Sequence, residues 1–173
     1  MKLDQQVPRN ALVWILLSQL LLLIPHLPRL PLWVLGVYLF TSTWRIMVYR
    51  GQWSFPPRWI KFLLTAGGFL GVSASFGSML GLEPTVALLL VAFALKLVEL
   101  CERKDAFLLI FLGFFVCLTQ FLFSQELLVT IYNTFCVLVL VAGLISLHQP
   151  GVEEFDFHPL RRASILMVQA FPL

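Results

Sequence analysis

The sequence predicts an all-α fold: a polytopic transmembrane bundle of six helices plus the start of a seventh, joined by short loops. Three observations predict it. Of 173 residues, 60% are hydrophobic and only 12% are charged, whereas a water-soluble chain is about half apolar and about a quarter charged. The apolar residues fall in long unbroken runs, which suits hydrocarbon as a solvent better than an amphipathic or alternating pattern would. The charged and proline-rich stretches lie between those runs.

The first run, Ala11 to Ile24, takes Asn10 as its N-cap. At about 1.5 Å per residue it is short for a hydrocarbon core of about 30 Å, so it spans either as a helix over 11–30 extended by Leu27 and Leu30 through the prolines, or by tilting against or pairing with the next segment. Pro25, Pro28 and Pro31 then break the chain, and the second helix covers 32–49, with Arg45 and Arg50 at its end. Trp53 and Trp59 flank the next turn, where an amphipathic indole suits the membrane interface. The third helix is expected over 59–80, stopping at Gly81. Leu82-Glu83-Pro84 is a tight connection that places a proline in the first turn of the fourth helix, 84–100.

Cys101-Glu102-Arg103-Lys104-Asp105 separates the fourth helix from the fifth, 106–123, which Asp105 can cap. Ser124-Gln125-Glu126 turns into the sixth, 127–147, which ends at His148-Gln149-Pro150-Gly151. After Arg161-Arg162 a further apolar run occupies 163–173 and is still under way at Leu173. Residues 1–173 are therefore expected to form a single integral membrane domain belonging to a longer protein, with the seventh helix truncated. The first apolar run leads into Pro25-His26-Leu27-Pro28 and not into a small-residue cleavage site, so it reads as a retained segment.

Lys and Arg in short loops stay on the cytoplasmic side. With a cytoplasmic N-terminus, the inner side carries Lys2, Arg9, Arg45, Arg50, Arg58, Lys61, Lys96, Arg103, Lys104, Arg161 and Arg162. The outer side carries Arg29 alone, so eleven of the 12 basic residues fall inside. The same alternation sends the seventh segment outward. The net charge of +3 is thus topological. It forms no basic stripe with interleaved aromatics, and nucleic acid is not an expected partner.

Chemistry-bearing residues are few. Lys96 and Glu99, three apart on the fourth helix, read either as a buried pair in a proton or substrate path or as a pair at the cytoplasmic end whose lysine snorkels. Their depth favours the second reading. Gly67, Gly71 and Ser75 recur every fourth position, with Gly77 and Gly81 on an adjacent line, and small residues let a neighbouring helix approach closely. A partner within the chain is favoured, and a homodimer is the alternative. Gln120 and Asn133, with Thr119, Thr130 and Thr134 nearby, read as interhelical hydrogen-bonding groups, or alternatively as the lining of a ligand pocket.

Cys101, Cys117 and Cys136 form no CxxC, and the last two lie in apolar runs unsuited to a thiolate. On this topology His26 is outside and His148 and His158 inside, so they cannot share a metal. No catalytic, cofactor-binding or metal-binding set is read. The expected surroundings are lipid bilayer.

From Gly81 onward ordered polar landmarks stand between the helices. They are Leu82-Glu83-Pro84, Ala94-Leu95-Lys96-Leu97-Val98-Glu99-Leu100 and Arg103-Lys104-Asp105-Ala106. Phe111 to Phe115, Thr119 to Gln125 and Pro159 to Ala163 complete the series, and the Pro8-Arg9-Asn10 start and the Gly51 loop fit it. With these landmarks the chain resembles the N-terminal membrane domain of the bacterial TgpA-type membrane-bound transglutaminases (protein-glutamine gamma-glutamyltransferases). That resemblance implies an anchor in the bacterial cytoplasmic (inner) membrane for a downstream extracytoplasmic domain with a Cys-His-Asp triad. None of the family's catalytic residues has a counterpart in this chain, so no enzyme is expected within it. The rival reading is an independent small-molecule or lipid transporter or binding bundle using Lys96, Glu99, Gln120 and Asn133.

Overall fold

The structure is a computed structural model that describes residues 7–54, 56–77, 81–124, 126–148 and 157–170. Among these residues there are seven α-helices and no strand: α1 Arg9–Leu23, α2 Leu32–Tyr49, α3 Arg58–Phe76, α4 Leu82–Val98, α5 Arg103–Gln120, α6 Leu127–His148 and α7 His158–Ala170. The all-α reading holds. Four stretches, Arg9–Arg29, Leu32–Tyr49, Arg58–Phe76 and Leu127–His148, are long and apolar enough to cross a bilayer. At 17 residues α4 is slightly shorter, and α5 opens on Arg103, Lys104 and Asp105.

Helix ends follow the backbone chemistry. α1 starts at Arg9, with the Pro8 carbonyl accepting the Leu12 N–H at 3.1 Å. Asn10 is therefore not the N-cap. It lies inside the first turn and is buried. The expected helix over 11–30 is α-helical only as far as Leu23, and Ile24–Arg29 winds as a tighter 3₁₀ turn. Pro25 and Pro28 have no N–H for an α-helical bond, which accounts for the change.

α2 matches the expected 32–49. α3 stops at Phe76, short of the expected residue 80, because Gly77 takes a left-handed φ of 66° and donates its N–H to the Ser73 carbonyl at 3.0 Å. Glycine carries no Cβ to oppose that conformation; residues 78–80 lie outside those described.

α4 starts at Leu82, two residues before the expected 84, and ends at Val98, short of the expected 100, while Pro84 lies in its first turn as expected. α5 starts at Arg103, three residues before the expected 106, because Glu102 is the N-cap and Asp105 completes a capping box. Asp105 Oδ2 accepts the N–H groups of Cys101 and Glu102, each at 3.2 Å. α6 runs one residue past 147, and α7 begins at His158, before the expected 163.

The helices form two compact units: Met1–Pro25 with Cys101–Leu173, and His26–Leu100. In the first unit α1 packs along α6, which also holds α5 and α7. Its core joins Trp14, Val139, Ala142 and Ala163. Gly113 lets α5 and α6 approach closely, since a Cβ there would lie 2.7 Å from Leu140 Cδ2. In the second unit α4 packs against both α2 and α3, burying Leu90, Phe93, Ala94 and Leu97.

Large apolar side chains face outward in both units, among them Phe62, Leu63, Phe111, Leu127 and Leu128. In water so many would be a liability, whereas in hydrocarbon they meet their own kind. Trp59 is 80% exposed and Trp53 47%, and Trp53 packs edge-on against Trp44 at 4.7 Å.

Candidate functional site: contacts between helices

The small-residue face of α3 receives an indole. The Trp33 Nε1–H of α2 donates to Ser75 Oγ at 2.9 Å, and the ring lies over Gly71, where an added Cβ would sit 3.0 Å from it. Gly71 and Ser75 are four apart, on one face of α3, so the missing side chain and the hydroxyl serve the same residue. At Gly67 an added Cβ would meet nothing within 4 Å.

Gly77 and Gly81 lie off the helical line, Gly77 as the C-cap of α3 and Gly81 just before α4. The close approach of α4 falls instead on Gly68, whose Cβ would stand 2.7 Å from Val91 Cγ1. Sequence reading missed Gly68. The adjacent Gly67-Gly68 pair was its signal, because neighbouring positions on a helix face different partners.

Lys96 Nζ donates to Glu99 Oε2 at 3.1 Å, with the two side chains 28% and 39% exposed. Lys96 is in the last turn of α4 and Glu99 is its C-cap. A partly exposed ion pair at a helix end contributes about 0–1 kcal/mol. In the next turn Lys104 pairs with Glu102 at 2.8 Å.

In the α5–α6 hairpin, Asn133 and Gln120 are both buried. Asn133 Nδ2 donates across the hairpin to the Cys117 carbonyl at 3.0 Å. Gln120 Oε1 has no hydrogen-bond partner among the described residues. Thr119, Thr130 and Thr134 instead donate to carbonyls of their own helical stretch. Cys117 and Cys136 are buried free thiols, and Cys101 is an exposed one.

A third cross-helix bond was not read from the sequence: Tyr132 Oη donates to the Leu21 carbonyl of α1 at 2.8 Å. Among the described residues no three His, Cys, Asp or Glu side chains gather in a group that could hold a metal. What the arrangement does is join helices, through an indole on a glycine and through hydroxyl and amide donors aimed at backbone carbonyls.

Comparison with known proteins bears out the family resemblance. The family described as the TgpA N-terminal domain matches residues 14–173. This chain belongs to that family. Over 167 residues it is 41% identical to a protein-glutamine gamma-glutamyltransferase of Pseudomonas aeruginosa, covering 96% of this chain and 25% of that protein. The TgpA N-terminal domain thus spans a quarter of the length of that relative, and no solved structure matches it.

Proposed function

We propose that this TgpA N-terminal domain is a multi-pass anchor in the bacterial cytoplasmic membrane. Its N-terminus is cytoplasmic, and it tethers a downstream extracytoplasmic transglutaminase-like domain. The observation that carries the reading is the distribution of positive charge over the helix ends. Arg50 caps the end of α2 with Arg45 just over a turn before it, Arg58 and Lys61 begin α3, Lys96 ends α4, and Arg103 and Lys104 begin α5. Arg161 and Arg162 lie in the first turns of α7. The opposite helix ends carry Arg29 alone of the 12 basic residues. Alternating spans put the basic ends in the cytoplasm and send whatever follows α7 outward.

Two further observations support the tether. The matched relative is named as an acyl-transfer enzyme, and this chain aligns with only 25% of it. Three side-chain hydrogen bonds, from Trp33, Tyr132 and Asn133, link one helix to another, the work of a scaffold. On this reading α4 and α5 also cross, with the Lys96–Glu99 pair near the cytoplasmic interface, where charge costs least. The test is protease protection of the full-length protein in spheroplasts. Added protease is expected to remove the downstream domain from intact spheroplasts, and a protected downstream domain would overturn the proposal.

A further inference from the structure

Along the outer side of α5 runs an open groove of about 590 Å³. Phe107, Leu108, Phe111 and Phe114 wall it on α5, and Leu144 of α6 closes the far side. Lys104 and Asp105 stand at one end. From Lys104 to Phe114 the helix descends about 15 Å, so a polar mouth opens into an apolar trough half a bilayer deep. The volume lies within the roughly 300–1,000 Å³ of small-molecule sites, which are mostly apolar with a few placed polar groups.

The mouth is polarised without net charge. Glu102 and Asp105 balance Arg103 and Lys104. Asp105 accepts the N–H groups of Cys101 and Glu102, and the Glu102 carboxylate, which takes the Asp105 N–H of the capping box, also pairs with Lys104 at 2.8 Å, both side chains exposed. An exposed pair of this kind is worth little. A headgroup carrying both charges can therefore open it at small cost, its phosphate taking Lys104 and its ammonium taking Glu102. Phe107, edge-on to His148 at 5.3 Å, gives the mouth a firm wall.

We propose that this groove is a phospholipid site selective for a zwitterionic, phosphatidylethanolamine-type lipid, with the headgroup at Lys104 and Glu102 and an acyl chain along Phe107, Leu108 and Phe111. The polarity profile names the occupant. A net anionic head would gain Lys104 but face Glu102, and a lipid without a head would leave the mouth unused.

The test is native mass spectrometry of the full-length protein released from nanodiscs holding equal parts of phosphatidylethanolamine, phosphatidylglycerol and diacylglycerol with identical chains. The wild type is expected to retain phosphatidylethanolamine severalfold over the other two. Lys104→Ala should erase that preference, and Leu108→Trp, which fills the trough, should lower retention of all three lipids. Should Leu108→Trp fail to elute as a single species, Leu144→Trp fills the same trough from α6. Equal retention of the three lipids by the wild type and every variant would show an ordinary lipid annulus and overturn the proposal. Preference for phosphatidylglycerol would overturn the zwitterionic assignment.

Discussion

The phenol of Tyr132 replaces a backbone donor that Pro25 cannot provide. In a continuing α-helix the Leu21 carbonyl would accept the N–H four residues on, but that residue is Pro25, which has none. The Ile24 N–H bends back to the Leu21 carbonyl, and Tyr132 Oη reaches it from α6 at 2.8 Å. Prolines are tolerated in membrane helices where a neighbouring helix satisfies the freed carbonyl in this way.

Tyr132→Phe is accordingly expected to destabilise the domain by about 1 kcal/mol. The cost should shrink in a Pro25→Ala background, where the N–H returns. Reversible unfolding in mixed micelles, run as a double-mutant cycle, measures the difference. An equal cost in both backgrounds would show that the phenol does not act for the missing donor.

The seat of Trp33 on α3 separates glycines that resemble one another in sequence. Ser75→Ala removes one hydrogen bond and should cost about 1 kcal/mol or less. Gly71→Leu forces the indole away and should cost about 1–3 kcal/mol by overpacking. Gly67→Ala meets open space and should be neutral or stabilising by up to about 1 kcal/mol, since alanine favours helix. Thermal midpoints of the three variants in one detergent give the order, and a Gly67→Ala midpoint below that of Gly71→Leu would contradict it.

Where a helix ended at a residue with a distinct backbone demand, the sequence was easy to read. α2 lies between Pro31 and a polar turn and came out residue for residue. α3 was overrun, because apolar residues continue past Phe76 while hydropathy says nothing of the φ that Gly77 adopts. Asn10 has the composition of a cap but sits two residues too far along, since Pro8 already offers the first carbonyl. Side chains were harder. Gly71 and Ser75 showed in their spacing, and Asn133 in its polarity, but the spacing did not name Trp33, nor the polarity the Cys117 carbonyl. Those partners depend on helix rotation, which outward-facing apolar residues on nearly every helix leave unmarked in the sequence.

The Lys96–Glu99 pair is expected to matter less than either charge alone. Glu99→Leu leaves an ammonium at the helix end without its 3.1 Å partner, whereas the double replacement of Lys96 and Glu99 by leucine removes both demands. The double variant should lie within about 1 kcal/mol of wild type, with Glu99→Leu below it. Unfolding midpoints decide the matter. A double variant less stable than Glu99→Leu would mean that the lysine makes further contacts worth more than the pair.

Orientation can be read from the chain's own thiols. Cys101 is exposed in the turn between α4 and α5, whereas Cys117 and Cys136 are buried, so when residues 1–173 are expressed alone a membrane-impermeant maleimide should label one position. The turn carries Arg103 and Lys104, and the proposed orientation would put it in the cytoplasm. Labelling is therefore expected in inverted membrane vesicles and not in intact spheroplasts, and Cys101→Ser should abolish it. Cys101 lies directly before the capping box, and Asp105 accepts its backbone N–H, a bond that the serine variant keeps. Labelling of intact spheroplasts would place the turn outside. It would reverse every span that follows and deliver the chain after α7 to the cytoplasm, where a tether for an external enzyme has no use.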